Sequence, residues 1–463
     1  MPGDATAVLD PVTPPPAFAA AESLAQRAKA DDVRFLLATF TTLTGKPCAK
    51  LVPVAAADAL EGDGVGFAGF AAGAMGQLPQ HPDVMAVPDV SSYTPLPFVR
   101  PGLAMVHCDP YVEGALHPFA PRVILRQAIA KAAAAGSRLV TGAELEYFLV
   151  TRGAGGVIKP ADDRDDAAQP CYDARGLTRM YDHLTAMSDA MASLGWGPYA
   201  SDHEDANGQF EQNFLHADAL VTADRVVTAR YIVQTLAEQR GMTATFMPKP
   251  FGDRTGNGMH LHLSLWDGQD PLFPLAAGPS TGASDPHGLG LSPTAYSFVA
   301  GLLDHGPALP ALVAPTVNSY KRTNAATTNS GATWAPKVAS YGGNDRTHFV
   351  RVPDHHRVEL RAGDGAANSY LAIAAALTAG LDGVERGLDP GAPGPRPDAR
   401  RQPATLLDAI HEFEHDPVVR GVLDAADPSA GVSDYYADLK REEFYAWHAS
   451  VTPWEIDRYL TAV

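Results

Sequence analysis

The sequence of 463 residues predicts an α+β protein, with a small mixed α/β domain over residues 21–115 and a larger domain over residues 116–463. Three observations carry that prediction. The length exceeds what one ordinary domain holds. Short strand-like segments spaced by glycines fill the chain from Val33 to about Asp109. Beyond them, segments with period-2 alternation of polar and apolar residues lie between longer helix-favouring runs.

Residues 1–20, rich in Pro and Ala and without a basic start, read as a mobile tail rather than a signal peptide. Ala21 to Ala30 favours a helix. Val33 to Phe40 and Ala49 to Val54 read as two strands of a hairpin that turns at Thr42-Leu43-Thr44-Gly45-Lys46. Pro121 to Ala135 is a helix stopped by Gly136, and it opens the larger domain. There, strands are expected at Ala143–Val150, Gln209–Phe214, His260–Leu265 and Arg357–Arg361. Helices are expected at Leu177–Leu194, Ala223–Arg240, Pro293–Leu303 and Tyr370–Leu381, with Ser292 capping the third ahead of a first-turn proline. Gly387 to Pro403 is a Pro/Gly loop, and helical segments resume at Thr405.

A formal net charge of −18 argues against nucleic acid or an anionic membrane as partner. Its bland cause is a solvated acidic surface. Cys48, Cys108 and Cys171 are odd in number and far apart, so they form no disulfide framework and no zinc pattern, which fits a reducing cytoplasm. The apolar run Tyr370–Leu381 is shorter than the roughly 20 residues a bilayer requires, and reads as a buried helix.

The chemistry centres on the stretch Lys249 to Trp266. His260, His262 and Ser264 alternate with Leu261, Leu263 and Leu265, so one face carries two imidazoles and a hydroxyl while the other meets a core. Before it runs a loop with three glycines, whose backbone can approach a ligand closely. Alone, a His-x-His strand fits two satisfied histidines as well as a ligand site. Glu144 and Glu146 alternate in the same manner, and a buried pair of carboxylates requires a cation or a proton. Glu204 and Glu211 flank a glycine turn in His203-Glu204-Asp205-Ala206-Asn207-Gly208-Gln209-Phe210-Glu211. Arg357-Val358-Glu359-Leu360-Arg361 sets an acid between guanidinium groups, which a salt-bridged strand would explain equally well. Taken together, carboxylates with little sulfur suit Mg²⁺ or Mn²⁺, and arginines beside such ions suit phosphate oxygens. The combination reads as phosphoryl transfer from a nucleotide, although neither a Walker-A loop nor a kinase catalytic loop is present.

In these segments, and in Asn318-Ser319-Tyr320-Lys321-Arg322, the chain resembles the glutamine synthetase family, whose motifs occur here in the family's order over nearly the whole length. The resemblance implies an N-terminal β-grasp domain and a catalytic domain whose curved antiparallel sheet forms a funnel. It implies ATP as co-substrate, L-glutamate and an amine as substrates, and two or more divalent ions per active site. A homo-oligomer of stacked rings, a dodecamer, with active sites shared between subunits is also implied. Carried over residue by residue, Glu146, Glu204 and Glu211 would hold one metal ion, and Glu144, His260 and Glu359 the other. His262, Ser264, Arg351 and Arg357 would face the nucleotide. Gly256, Arg322 and Arg361 would hold glutamate, and Arg346 the phosphoryl group in flight.

The chain departs from the family pattern at two places. Ammonium-using members carry an aspartate where Thr42 stands, and a flap glutamate where the spacing from Arg346 lands on Trp334. Those acids bind NH₄⁺ and take its proton. A primary alkylamine is protonated too, with a pKa of roughly 10.4, but its carbon group needs an apolar wall. An indole attracts the cation by about 0.5–2 kcal/mol and packs its methyl group, and Tyr172 could complete the enclosure. The resemblance is therefore closest to the γ-glutamylmethylamide synthetase branch, the type III glutamate–amine ligases. The expected activity is an ATP-dependent γ-glutamyl-amide ligase acting through γ-glutamyl phosphate, with methylamine favoured. The alternative is a glutamine synthetase using ammonium, with Thr42 and Trp334 as drift. A non-catalytic assembly protein would have broken metal positions, yet all are Glu or His. A guanidino kinase would not need Arg322.

Overall fold

The computed structural model describes residues 22–275, 285–323, 325, 328 and 334–462. The expected tail, residues 1–20, lies outside these. The first helix, Leu24–Ala30, opens with a capping box in which Ser23 and Gln26 satisfy each other's backbone N–H groups. The hairpin strands are Phe35–Thr41 and Pro47–Pro53, antiparallel as expected. Phe35–Thr41 also pairs in parallel with Leu103–Val112, the longest strand of this sheet. Val84–Pro88 and Val65–Phe67 extend the sheet on the far side of Leu103–Val112. Leu36, Ala38, Phe40, Val106 and Cys108 form a first core between this sheet and the helices over it.

The rest of the chain builds two further sheets. In one, Ile158–Pro160, Leu145–Arg152, Gln209–Phe214 and Pro198–His203 lie side by side in that order. The other runs Ala217–Asp218, Arg138–Ala143, Leu261–Asp267, Arg357–Leu360, Val350–Asp354 and Tyr341–Gly342. The strand expected over Ala143–Val150 is in fact divided. Arg138–Ala143 belongs to one sheet and Leu145–Arg152 to the other, and Glu144 is the residue between them. Its N–H donates to the His260 carbonyl at 3.1 Å, which fixes the corner.

Helix Ser369–Glu385 is the centre of the large core, and from Ser369 to Leu377 every residue is buried. The apolar run that could have suggested a membrane span is thus wrapped by helices Pro121–Ala134, Ala219–Glu238 and Pro293–Asp304. No helix among the described residues is long and apolar enough to cross a membrane. The contact with Pro293–Asp304 is close because glycines face it. A Cβ on Gly383 would lie 2.2 Å from the Ser297 carbonyl oxygen, and one on Gly301 2.2 Å from that of Ala379.

The helix expected over Leu177–Leu194 is two, Ala174–Arg179 and Tyr181–Ser193, broken at Met180. Ser292 caps Pro293–Asp304 as expected, accepting from Ala295 N–H at 3.1 Å.

One guanidinium links the first sheet to the large core. Arg122 is 3 % exposed and donates to Asp89 and Asp109 at 2.7 Å, and through two nitrogens to Asp224 at 3.0 Å. Tyr370 donates to the same Asp224 at 2.7 Å. Burial opposes the charge on Arg122, but the surrounding carboxylates more than offset it and hold its pKa above the ordinary value.

Candidate active site

The strand Leu261–Asp267 lies between Arg138–Ala143 and Arg357–Leu360, with His262 opposite Gly142 on one side and Glu359 on the other. Leu261, Leu263 and Leu265 are fully buried, so the alternation does turn the histidines and Ser264 to the opposite face. There His260 Nδ1 and His262 Nε2 each donate to one oxygen of Glu144 at 2.8 Å. His260 Nδ1 is also 3.5 Å from Glu359 Oε1. One ligand atom each from Glu144, His260 and Glu359 lies within 4.8 Å of the others, so the triad expected for a cation is gathered.

The neighbouring sheet supplies the remaining acids. Glu146 and Glu211 sit directly opposite each other in adjacent antiparallel strands, a pairing that like charges disfavour without a counterion. Glu204 follows strand Pro198–His203, and its N–H donates to the Gln209 carbonyl to close the turn. Burial pushes the Glu204 carboxyl up to about 8, and the charges of Glu146 and Asp202 add to the effect. Burial likewise raises Glu211, followed by repulsion from Glu144, Glu204 and Glu146. Glu144 moves the other way. Burial alone would raise it, but the hydrogen bonds from His260 and His262 hold it well below the usual carboxylate range.

This arrangement fits a divalent cation. Four acids repel one another across the seam between the sheets, while the buried His260 Nε2 has no hydrogen-bond partner. Gly258 leaves room at the same spot, since a Cβ there would lie 2.8 Å from both Glu146 Oε1 and His260 Nε2. An oxygen-rich set with one imidazole suits a hard ion such as Mg²⁺ or Mn²⁺.

The arginines are distributed differently from the sequence expectation. Glu359 is answered by Arg361 and by Arg351, whose Nε lies 2.7 Å from Oε2. Arg357 instead pairs with Asp354 at 2.7 Å across its own hairpin and is half-exposed. The salt-bridged strand is therefore real, but Arg351 from the next strand takes the place expected of Arg357. His262, expected to face a nucleotide, is committed to Glu144 through one nitrogen, and its Nδ1 is buried without a partner. Arg322 is buried beside Glu146 and Asp364, with Nη1 unpartnered. Gly256 lies against it, where a Cβ would meet Arg322 Cγ at 3.2 Å and the Pro248 carbonyl oxygen at 2.2 Å. Arg346 is exposed, and its carbonyl accepts from Arg361 Nε at 3.1 Å.

Trp334 reaches the site's edge. Its indole N–H donates to Asp205 Oδ2 at 3.0 Å, one residue from Glu204. Tyr172 is 68 % exposed, in the left-handed backbone region at φ 62°, and its N–H donates to the His203 carbonyl. Its hydroxyl is raised by burial and then by Cys171 and Glu204, which places it near the same acids. Thr42 is not brought there within the chain. It is fully buried, its hydroxyl lies 3.1 Å from that of Thr44, and its carbonyl accepts from Asn368 Nδ2 at 3.0 Å. A side chain so enclosed offers nothing to a substrate in this chain's own site.

Sequence reasoning assigned no role to Gln209, Asp205 or Asp165. Gln209 Nε2 donates to Glu146 Oε2 at 3.2 Å and to the Gly256 carbonyl at 3.1 Å, joining an acid to the glycine loop. Its position two residues before Glu211, on the same face of the strand, was the available signal. Asp165 accepts from His203 Nε2 at 2.9 Å, while His203 Nδ1 donates to the Glu204 carbonyl at 2.9 Å. No local pattern marks that pair.

The glutamine synthetase catalytic-domain family matches residues 118–459. The chain is 42 % identical to a glutamine synthetase of Rhizobium leguminosarum bv. phaseoli, over 94 % of this chain and 99 % of that one. It is 40 % identical to a glutamate–methylamine ligase of Methyloversatilis universalis, over 93 % and 97 %. A solved GmaS/ADP complex superposes with a TM-score of 0.86 at 43 % identity, covering 95 % of this chain and 99 % of that one. Fold and site thus define a carbon–nitrogen ligase. The chain belongs to the glutamine synthetase family.

Proposed function

We propose that this ligase is an ATP-dependent γ-glutamyl-amide ligase, joining L-glutamate to a small primary amine with methylamine favoured over ammonium. The observation that carries the reading is Trp334, an aromatic side chain held by Asp205 at the rim of the acidic cluster. An indole face attracts an alkylammonium and packs its methyl group, whereas it gives bare ammonium no proton acceptor. The likeness to a glutamate–methylamine ligase and to GmaS supports this choice. The comparable likeness to a rhizobial glutamine synthetase favours the second reading, ammonium as nitrogen donor.

In this reading the γ-carboxylate of glutamate attacks the γ-phosphorus of ATP, ADP departs, and the neutral amine displaces phosphate from γ-glutamyl phosphate. Both reactants of the first step are anions, so positive charge must be fixed before they meet. A bound divalent ion would supply part of it, with Glu146, Glu204 and Glu211 holding one ion and Glu144, His260 and Glu359 another. Arg322, Arg361 and Gly256 are proposed to hold glutamate, since Arg322 is buried with an unpartnered nitrogen beside the glycine loop. Arg351, Arg357, His262 and Ser264 are proposed to face the nucleotide. Arg346, which is exposed, would follow the phosphoryl group. Tyr172 would wall the amine. The proposed setting is the cytoplasm.

We further propose a homo-oligomer of stacked rings with shared active sites. The C-terminal helix Pro453–Tyr459 buries no residue, and Trp454 and Leu460 are 61 % and 72 % exposed, an apolar surface that a second copy would cover. Thr42 is then proposed to act in a neighbour's site.

Phosphate release measured with methylamine, ethylamine and ammonium as donors tests the function. The expected result is a kcat/KM for methylamine well above that for ammonium. The reverse order would replace this reading with that of a glutamine synthetase.

A further inference from the structure

Asp205 stands where two separate parts of the chain meet the acidic cluster. Its Oδ2 accepts from the Trp334 indole at 3.0 Å and from the Thr255 hydroxyl at 3.0 Å. Thr255 belongs to the glycine loop, immediately before Gly256. The N–H of Asp205 donates to Glu204 Oε2 at 3.3 Å, so the same residue also touches a proposed ion ligand. Asp205 is 9 % exposed, while Trp334 keeps 40 % of its surface open. The carboxylate is therefore the sheltered anchor, and the indole is the part left free to meet a ligand.

An indole N–H is a donor only, so its acceptor decides how the ring plane is turned. An ionised acceptor roughly doubles the strength of such a bond over a neutral one. Trp334 precedes Ala335-Pro336 at the edge of a loop, and beyond the indole N–H no other hydrogen bond of its side chain is seen among the described residues. Without the carboxylate the ring would be free to take other rotamers, each presenting a different wall to the amine. Thr255 constrains the carboxylate in turn, coupling the ring to the loop that lies against Arg322.

We infer that Asp205 is a positioning residue for amine selection: by holding the Trp334 indole over the acidic cluster it sets the preference for an alkylated donor over ammonium. The inference rests on the alkylamine reading above and adds to it the device that orients the selective ring.

The test uses the full-length enzyme and compares wild type with Asp205→Ala, Asp205→Asn, Trp334→Phe and the double variant Asp205→Ala/Trp334→Phe. Each is assayed for kcat and KM with methylamine and with ammonium, and for KM with ATP and glutamate. Asp205→Ala should lower the methylamine-to-ammonium ratio of kcat/KM by about tenfold, mainly through the methylamine KM, with the ATP KM changed less than about twofold. Asp205→Asn keeps an acceptor oxygen and should restore most of the ratio. Trp334→Phe should lower the ratio, and adding Asp205→Ala to it should lower it little further, because both remove one interaction. An unchanged ratio in Asp205→Ala, or additive losses in the double variant, would overturn the role of Asp205 while leaving the alkylamine reading intact. A wild type that prefers ammonium would overturn both.

Discussion

At the scale of single residues, the site is a set of acids that cannot all be charged without help. Glu204 is pushed up to about 8 by burial and by its acidic neighbours, against an ordinary value of 4.5. A carboxyl raised on folding stabilises the fold fully below its unfolded value, and that stability is lost as pH climbs through the folded one. The metal-free protein should therefore melt at progressively lower temperature from about pH 4.5 to 8, while Mg²⁺ or Mn²⁺ should raise the melting temperature more at pH 8.5 than at pH 6. Differential scanning fluorimetry across that range, with and without the ion, checks both statements. Equal shifts at the two pH values would mean the ion does not replace protons at these acids. That His260 and His262 share one face was legible in advance, because period-2 alternation puts them there. Which partner each would take was not. His262 turned to Glu144, and Arg351 displaced Arg357 at Glu359, because cross-strand register is fixed by pairing between distant segments.

At the scale of elements, the sequence read long helices and hairpins well and short turns of direction poorly. Pro121–Ala134 and Pro293–Asp304 begin at the expected prolines, where a first-turn proline loses no hydrogen bond. The strand expected over Ala143–Val150 holds from Leu145 onward, but an unbroken alternation does not reveal that the chain changes sheets at Glu144. Nothing local announced the glycine contact between Pro293–Asp304 and Ser369–Glu385 either. That contact makes a sharp prediction. Gly383→Ala would press a methyl group against the Ser297 backbone at 2.2 Å, and should cost about 2–4 kcal/mol in chemical denaturation. Gly421→Ala, at an exposed position of helix Pro417–Leu423 with nothing within 4 Å, should instead stabilise by about 0.5–1 kcal/mol. Equal effects at the two positions would show that close packing does not govern this pair.

At the scale of the whole molecule, the aromatic C-terminus is expected to serve assembly rather than the core. Deleting residues 451–463 should leave the far-UV circular dichroism nearly unchanged and reduce the mass measured by light scattering. An unchanged mass would move the interface elsewhere. The shift from glycine-spaced strands to long helices was visible in the sequence, but the joint between the first sheet and the large core was not. That joint is Arg122, whose charge answers Asp89 and Asp109 in one layer and Asp224 in the other. Arg126, from the same helix, also pairs with Asp89 at 2.5 Å and with Asp109 at 3.0 Å, so the cluster cannot be parcelled out. Were a gene encoding only the first hundred or so residues to be expressed, its product would keep Asp89 and Asp109 without the guanidinium groups of Arg122 and Arg126 that answer them. Any recombination that swaps this leading portion between relatives has to bring along, or already find, the matching guanidinium on the far side of the crossover.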